Sequence, residues 1–518
     1  MDYRRQAGWL LAVVVLSLMC CHAEEAAKAP STLNVRVDEK SVLRSFSPRF
    51  FGLNFEWGYS QDRVQVDPSN HLEDSQLAEL CQGLPLPLNR MAGTISQEFH
   101  WKQAIGPVED RPLQQLNPWE SPRQVRIGPV EWIRWVQKID PRAEFVWTLN
   151  ILKETPQDAA DLVQFLTGDA KAKVEPGKTN WAQKRVELGL PNPVPVACWE
   201  LGNEMSLKPN AHKKYVWTAE QYIEAVKPFI AAIRAVNPKA KLAIEGSCYW
   251  DEWDGKVLRA LGSQVDYIAP HYYYKSAARG KDDPSLKPGS FQGLEGAFVD
   301  SWLKAMVKQV REVETNGHKV SLLITEHAMW PPALKDQEWK STWYLSHSLD
   351  GVLSTASFLV RCLAVPEVAG TNYHNFSSGP WGLVYRSGQT NELYKTGMLE
   401  LFRLLGGIEP GEVVTVETSV GEGAASATDR PVAMSAIRHA KGMTLILVNP
   451  GAARTLNLTF AGSHVFQGAS GIWGNDLDAH NTKDAVVLKI EPLACGVKGK
   501  PLEKMTLPAQ SLVVARFE

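Results

Sequence analysis

Two glutamates at the ends of apolar runs are the residues of this chain best placed to do chemistry. Val194–Glu204 reads VPVACWELGNE, an apolar, β-branched start that stops at Gly202 and then presents Asn203 and Glu204. Ser321–Glu326, SLLITE, follows the same pattern, an apolar run closed by Glu326 with His327 behind it. Two carboxyl groups about 5 Å apart can break a glycosidic bond with retention. One, protonated, supplies the leaving oxygen with a proton, and the other, ionised, attacks the anomeric carbon. Acids that close do not both ionise easily, so their titrations couple and one pKa rises. We assign Glu204 as the acid/base and Glu326 as the nucleophile, facing each other across a sugar. Once Glu326 is tied up in a covalent bond its charge is gone, and Glu204 can act as base toward water. A lone Glu at a strand end is ordinarily a surface acid. The pairing of two such ends is what carries the reading.

Other residues fall at positions that would serve such a pair. Asn203 could bond the hydroxyl next to the reacting carbon, where bonds tighten in the transition state. Arg90, at the end of the short run Pro87–Met91, could hold Glu326 ionised, or be a structural ion-pair partner. His271 and the tyrosines behind it close the run VDYIAPH, and one tyrosine hydroxyl could hold the nucleophile in place. Glu56 ends FFGLNFE and could accept from sugar hydroxyls, or be an ordinary rim acid. Trp101, Trp330 and Trp381 are candidate stacking platforms, with burial in the core as the plain alternative. His271, His327 and His374 all fall on strand ends, so a metal site is conceivable. No HxH lies on the first strand and no HExxH occurs anywhere, so no metal and no cofactor are expected. GxSxG and Gly-rich phosphate loops are also missing, which removes serine hydrolase and nucleotide chemistry.

The elements that must position these residues alternate in type. Runs ending near Glu56, Arg90, Asn150, Glu204, Gly246, His271, Glu326 and Asn375 read as eight strands. Helical patterns follow them, among them Val130–Ile139, Ala219–Val236 with Thr218 as N-cap, Glu252–Leu261, Phe298–Glu314 and Trp339–Leu363. Eight strand–helix units make an α/β fold, a (β/α)₈ TIM barrel over 46–407, with both glutamates on its C-terminal rim. Residues 168–195 are polar and Pro-rich and read as a surface excursion. After about residue 408 the runs VVTVET, AMSAI, TLILVN, LNLTF, VVLKI and SLVVARF alternate like antiparallel strands. Residues 408–518 are thus expected to form a C-terminal β-sandwich, joined by an N-terminal strand over 33–45.

Composition bounds the partners. The chain has 518 residues, 55 basic and 57 acidic, for a net charge of −2, and no basic block marks a nucleic-acid surface. The 18 tryptophans suit a carbohydrate binder, since flat rings cover the C–H faces of sugars, although they suit a large core equally. Arg4 and Arg5 precede WLLAVVVLSL, and Cys21-His22-Ala23 offers a cleavage site, so 1–23 read as a signal peptide and the protein as secreted or periplasmic. Cys20 and Cys21 lack the small residues a lipoprotein anchor prefers before its cysteine. The apolar run is short for a membrane span, and the other five cysteines are scattered with no CxxC.

At this point the motifs resemble a known family. Asn-Glu after strand four and Glu after strand seven is the pattern of clan A retaining glycosidases, and the chain is most like family 51, the α-L-arabinofuranosidases. FFGLNFEW resembles that family's first strand with its substrate-binding Glu, here Glu56. NRMAGTISQEFHWKQAIGPVEDRP resembles its strand-two motif, carrying Arg90 and Trp101. WAQKRVELGLPNPVPVACWELGNEM resembles its approach to the acid/base, and DYIAPHYYY its strand-six tip. The likeness implies that Tyr273 supports the nucleophile and that the substrate is an oligo- or polysaccharide bearing arabinofuranose. Two departures, Met91-Ala92-Gly93 for Pro-Gly-Gly and His327 for an aromatic residue, are expected to lie in the substrate pocket. Related activities in the clan are β-xylosidase, β-glucuronidase and β-glucanase. A catalytically inactive sugar-binding barrel is the reading from another class.

Overall fold

The computed structural model describes residues 31–58, 64–66, 74–117, 120–207, 216–247, 252–280, 283–287, 296–314, 317–420 and 430–518. Eight parallel strands form a ring. They are Phe51–Glu56, Leu88–Ala92, Glu144–Leu149, Val196–Leu201, Leu242–Glu245, Tyr267–Ala269 running on as His271–Tyr274, Ser321–Met329 and Val368–Tyr373. Each pairs with the next, and the ring closes where Thr371 lies opposite Phe51. The strands are buried almost throughout, as parallel strands must be when helices cover their outer faces. Helices at Ser75–Leu80, Pro129–Ile139, Pro156–Thr167, Ala219–Val236, Glu252–Leu261, Gly296–Glu312, Leu349–Leu363 and Gly397–Gly406 follow the strands in turn.

The barrel interior is layered. Leu88, Val146, Ala197, Cys198, Ala243, Ala269 and Leu323 form a small apolar cluster of their own. Two residues further along six of the eight strands come Arg90, Thr148, Glu200, Glu245, His271 and Thr325. All six are buried polar groups. Period-two alternation keeps both sets on the inward face, so an apolar plug lies under a polar floor.

Helix starts are built as the sequence suggests. Thr218 Oγ1 accepts from Gln221 N at 3.2 Å, and the Gln221 side chain accepts from Thr218 N at 2.9 Å, a closed capping box that starts Ala219–Val236. This helix carries Tyr222, which reappears below the active-site rim.

The C-terminal strands form a separate nine-stranded sheet that is antiparallel apart from one pairing. Ser31–Phe46 lies inside it, antiparallel to Gly411–Val420 and parallel to Arg454–Phe460. The curled sheet has its own core around Val35, Val37, Leu445, Leu456, Val513 and Phe517.

Three local expectations are corrected. The excursion 168–195 contains a helix, Trp181–Glu187, started by Asn180 Oδ1 accepting from Gln183 N at 2.9 Å; flanking prolines and charges hid it. Trp339–Leu363 is two elements, a 3₁₀ segment Trp339–His347 and an α-helix Leu349–Leu363, divided at an extended Ser348. VVLKI is not a strand. The amides of Val487 and Leu488 donate to the Asn481 side chain at 2.9 and 2.7 Å, which takes them out of any ladder. Residues 1–30, including the leader, lie outside the described residues. No described helix is long and apolar enough to cross a membrane.

Candidate active site

The fourth barrel strand stops at Leu201, and the chain then turns sharply. Gly202 has φ 94° and Glu204 φ 55°, both left-handed. A Cβ at residue 202 would come within 2.7 Å of Ile151 Cδ1, so only glycine fits this turn. The turn presents Asn203 and Glu204 over the barrel mouth. Glu326 reaches the same place from the seventh strand by a different device. Thr325 bonds inward to Glu200 at 2.7 Å and Glu326 bonds inward to Arg90 at 3.2 Å, although consecutive strand residues normally face opposite sides. A register shift between Ile324 and His327 allows both.

His271 joins the two acids. It lies level with Glu326 in strand register. Its Nδ1 is 2.9 Å from Glu204 Oε1 and 3.7 Å from Glu326 Oε2. One side-chain ligand atom from each of Glu204, His271 and Glu326 lies within 4.8 Å of the others. Arg90 Nη2 is 3.4 Å from His271 Nε2. Arginine has no acceptor, so in neutral His271 Nε2 accepts and Nδ1 carries the hydrogen toward Glu204. Burial lowers the His271 pKa, but Glu326 and Glu204 outweigh it and raise it overall.

Arg90 is wholly buried and ties the floor together. Its Nε donates to Glu200 at 2.6 Å, Nη1 to Glu326 at 3.2 Å and Nη2 to Asn203 Oδ1 at 2.9 Å. Burial would strip its charge, but Glu200 and Glu326 more than compensate. Burial also pushes Glu326 up. The charges of His374, His271 and Arg90, with the hydrogen bond from the Tyr273 hydroxyl, reverse this and hold its carboxyl at about 2. Asn203 Nδ2 is buried with no partner among the described residues, so it has a hydrogen to give to something in the cleft.

Other expected residues divide between rim and core. Glu56 accepts from Ser378 Oγ at 2.6 Å and lies 3.7 Å from His374 Nε2. Trp330 meets Tyr273 edge-on at 5.6 Å and Trp381 at 5.6 Å, and Trp381 lies 5.1 Å from Tyr273, so both rings stand beside the nucleophile's tyrosine. Trp101 does not belong with them. It is buried between Phe165 and Trp181 and donates to Asp158 O, so it is part of the wall under the strand-two loop. His327 is likewise outside the pocket. Beyond the register shift it faces outward onto Phe358 of the Leu349–Leu363 helix, at 4.7 Å. Among the described residues, His271 is the one of the three strand-end histidines in a grouping tight enough for a cation, and Arg90 already places a fixed positive charge on Glu326 there. Glu200, Glu245, Thr148, Thr325 and Ser378 were not singled out from the sequence. Inward strand parity two residues before Gly202 could have pointed to Glu200. The others depend on cross-strand register.

Outward-facing His327 gives a stability prediction. Burial first, then His374, pushes its pKa down to about 3 against a smaller opposing effect of Glu326. The unfolded chain takes up this proton near pH 6.5, earlier than the folded protein, so stability falls as pH drops from about 6.5 toward about 3. His327→Leu should flatten that part of the thermal midpoint against pH. Parallel curves for variant and wild type would refute the assignment.

Comparisons with known proteins bear on the sequence likeness and the fold. Residues 89–285 match the family model described as the alpha-L-arabinofuranosidase 1 domain. An intracellular exo-alpha-(1->5)-L-arabinofuranosidase 1 of Bacillus subtilis is 26% identical over 298 residues, covering 56% of each chain. An intracellular exo-alpha-(1->5)-L-arabinofuranosidase of Acetivibrio thermocellus is 26% identical over 242 residues, 46% of this chain and 45% of that one. The chain thus spans about half the length of the curated relatives it matches. A family 51 alpha-L-arabinofuranosidase structure from Bifidobacterium longum superposes with a TM-score of 0.74 at 18% identity, covering 94% of this chain and 99% of that one. That from Thermotoga maritima, an arabinose complex, gives 0.73 at 20% identity, covering 93% and 99%. These structures share the fold.

The relatives also correct one expectation. Those from Bacillus subtilis and Acetivibrio thermocellus are named intracellular enzymes, which overturns the reading of this protein as secreted or periplasmic. That reading rested on a short apolar run behind two arginines and on Cys21-His22-Ala23 as a cleavage site, all within residues 1–30, which lie outside the described residues. The chain is therefore similar to α-L-arabinofuranosidases over residues 89–285, and it shares the barrel-and-sheet fold of the family 51 structures.

Proposed function

We propose that this protein is a retaining glycoside hydrolase that releases α-L-arabinofuranosyl units from an oligo- or polysaccharide. The observation that carries the reading is the convergence of Glu204 and Glu326 on His271, with side-chain oxygens inside 4.8 Å. That closeness suits a covalent intermediate, whereas an inverting enzyme keeps its carboxyls about 6.5–9.5 Å apart to admit a water. Glu326, held ionised, attacks the anomeric carbon while Glu204 passes its proton to the departing oxygen. In the second half Glu204 takes a proton from water, whose oxygen replaces Glu326 on the sugar. Tyr273 and Arg90 hold Glu326 at the start and take its charge back at the end. Asn203 Nδ2 is free to donate to the hydroxyl beside the reacting carbon, and Glu56, Trp330 and Trp381 line the approach. The relatives' names support arabinofuranose as the sugar.

A panel of aryl glycosides tests this, with the anomeric configuration of the first-formed product followed by proton NMR. The expected result is highest kcat/KM on the α-L-arabinofuranoside, with retention, and no loss on adding chelator. A preference for β-xyloside, β-glucuronide or β-glucan substrates would move the protein elsewhere in the clan. No hydrolysis at all would make it a sugar-binding barrel, and chelator sensitivity would implicate a metal.

A further inference from the structure

Glu204 sits in a backbone conformation that an L-residue avoids. Its φ of 55° follows Gly202 at 94°, a left-handed conformation in which the Cβ of a non-glycine residue is crowded. Such a residue stays put only when its surroundings hold it, and here the holding groups can be named.

The two amides after Glu204 point at a single carboxylate. Met205 N donates to Glu245 Oε2 at 2.7 Å and Ser206 N to Glu245 Oε1 at 2.9 Å, with Ser206 Oγ adding a third bond at 2.8 Å. Glu245 ends the fifth barrel strand and is 2% exposed. Its own amide donates to the Tyr222 hydroxyl at 2.8 Å, and that hydroxyl donates to Leu201 O at 2.6 Å. Leu201 is the last residue before the turn. The clamp therefore grips the chain on both sides of Glu204, through Tyr222 in front and Glu245 behind.

We propose that Glu245 is a positioning residue for the acid/base carboxylate: by accepting from Met205 and Ser206 it keeps Glu204 in the left-handed turn that aims its side chain at the leaving-group oxygen. This rests on the assignment of Glu204 as acid/base. Glu245 acts through the turn, and among the described residues its carboxylate's three bonds go to residues 205 and 206. Burial pushes its carboxyl up to about 7, opposed by those three bonds and by the charge of His271. A buried acid retained against that penalty is what a structural need for a double acceptor would leave.

The test is dependence on the leaving group. A nitrophenolate-class leaving group such as 2,4-dinitrophenolate departs without a proton, whereas phenolate needs one. Glu245→Gln keeps the size but offers one acceptor oxygen where two are used. The expected result is a fall in kcat/KM of about 30-fold on the phenyl α-L-arabinofuranoside and less than about 3-fold on the dinitrophenyl substrate, as for loss of general acid efficiency. On the dinitrophenyl substrate kcat should fall and azide should restore it. Ser206→Ala, which removes one bond of the clamp, and Tyr222→Phe, which removes two, should show the same split more weakly, and they carry the test if Glu245→Gln fails to fold. Equal losses on both substrates, or no loss in any variant, overturns the proposal. Failure of the underlying reading looks different: wild type cleaves neither substrate, or Glu204→Ala shows no leaving-group dependence.

Discussion

Glu326→Ala is expected to lower kcat by about 10⁴-fold or more, with the protein still folded. Among the described residues, the groups left around that position are Arg90, His271, His374 and the Tyr273 hydroxyl, none of them a carboxylate that could replace the nucleophile. Folding should survive because Arg90 does not depend on Glu326 alone. Its Nε stays on Glu200 at 2.6 Å, and Glu200 is also held by Thr148 at 2.6 Å and Thr325 at 2.7 Å. The buried cation therefore keeps a carboxylate, and the large penalty for an uncompensated charge is avoided. Circular dichroism, the thermal midpoint and steady-state rates on an aryl arabinofuranoside check both halves. Rates like those of wild type would remove Glu326 as nucleophile, and an unfolded variant would show that its pairing with Arg90 is structural.

The second large effect concerns Glu204→Ala. With a phenol that needs protonation, kcat/KM should fall by about 10²–10⁴-fold, the usual contribution of a general acid. With 2,4-dinitrophenolate as leaving group the first step should be nearly unchanged, so the covalent intermediate accumulates. Azide should then raise turnover and yield a glycosyl azide of retained configuration, since it attacks without needing a base. A variant indifferent to azide would count against this role. Because Glu204 is the partly exposed member of the pair and Glu326 the buried one, a small nucleophile has a path to the sugar from the Glu204 side.

Much of the scaffold could be read from short-range pattern. Eight apolar runs, four of them with carboxylate or histidine ends, became the eight strands of the ring. Thr218 capped its helix as the motif suggested, because a cap involves residues three apart. Failures came where a local signal was outvoted. Val486 and Val487 look like a strand, yet the Asn481 side chain takes the nearby amides. His327 reads as a pocket residue by adjacency to Glu326, yet the register shift turns it outward. Trp101 sits in a motif shared with sugar-binding enzymes, but packing against Phe165 and Trp181 takes its faces.

What the amino-acid sequence determined by itself was the order of strands and helices and the two strand ends that carry glutamate, since hydrophobic period and chain-end chemistry are properties of neighbouring residues. Only the tertiary structure decided that His271 bridges the two acids, that Arg90 is shared between Glu200 and Glu326, and that Glu245 clamps the turn bearing Glu204. Those contacts join residues between 39 and 236 positions apart, in pairs such as Ser206–Glu245 and Arg90–Glu326. Their geometry is fixed by strand register around a closed ring, which no stretch of chain specifies alone.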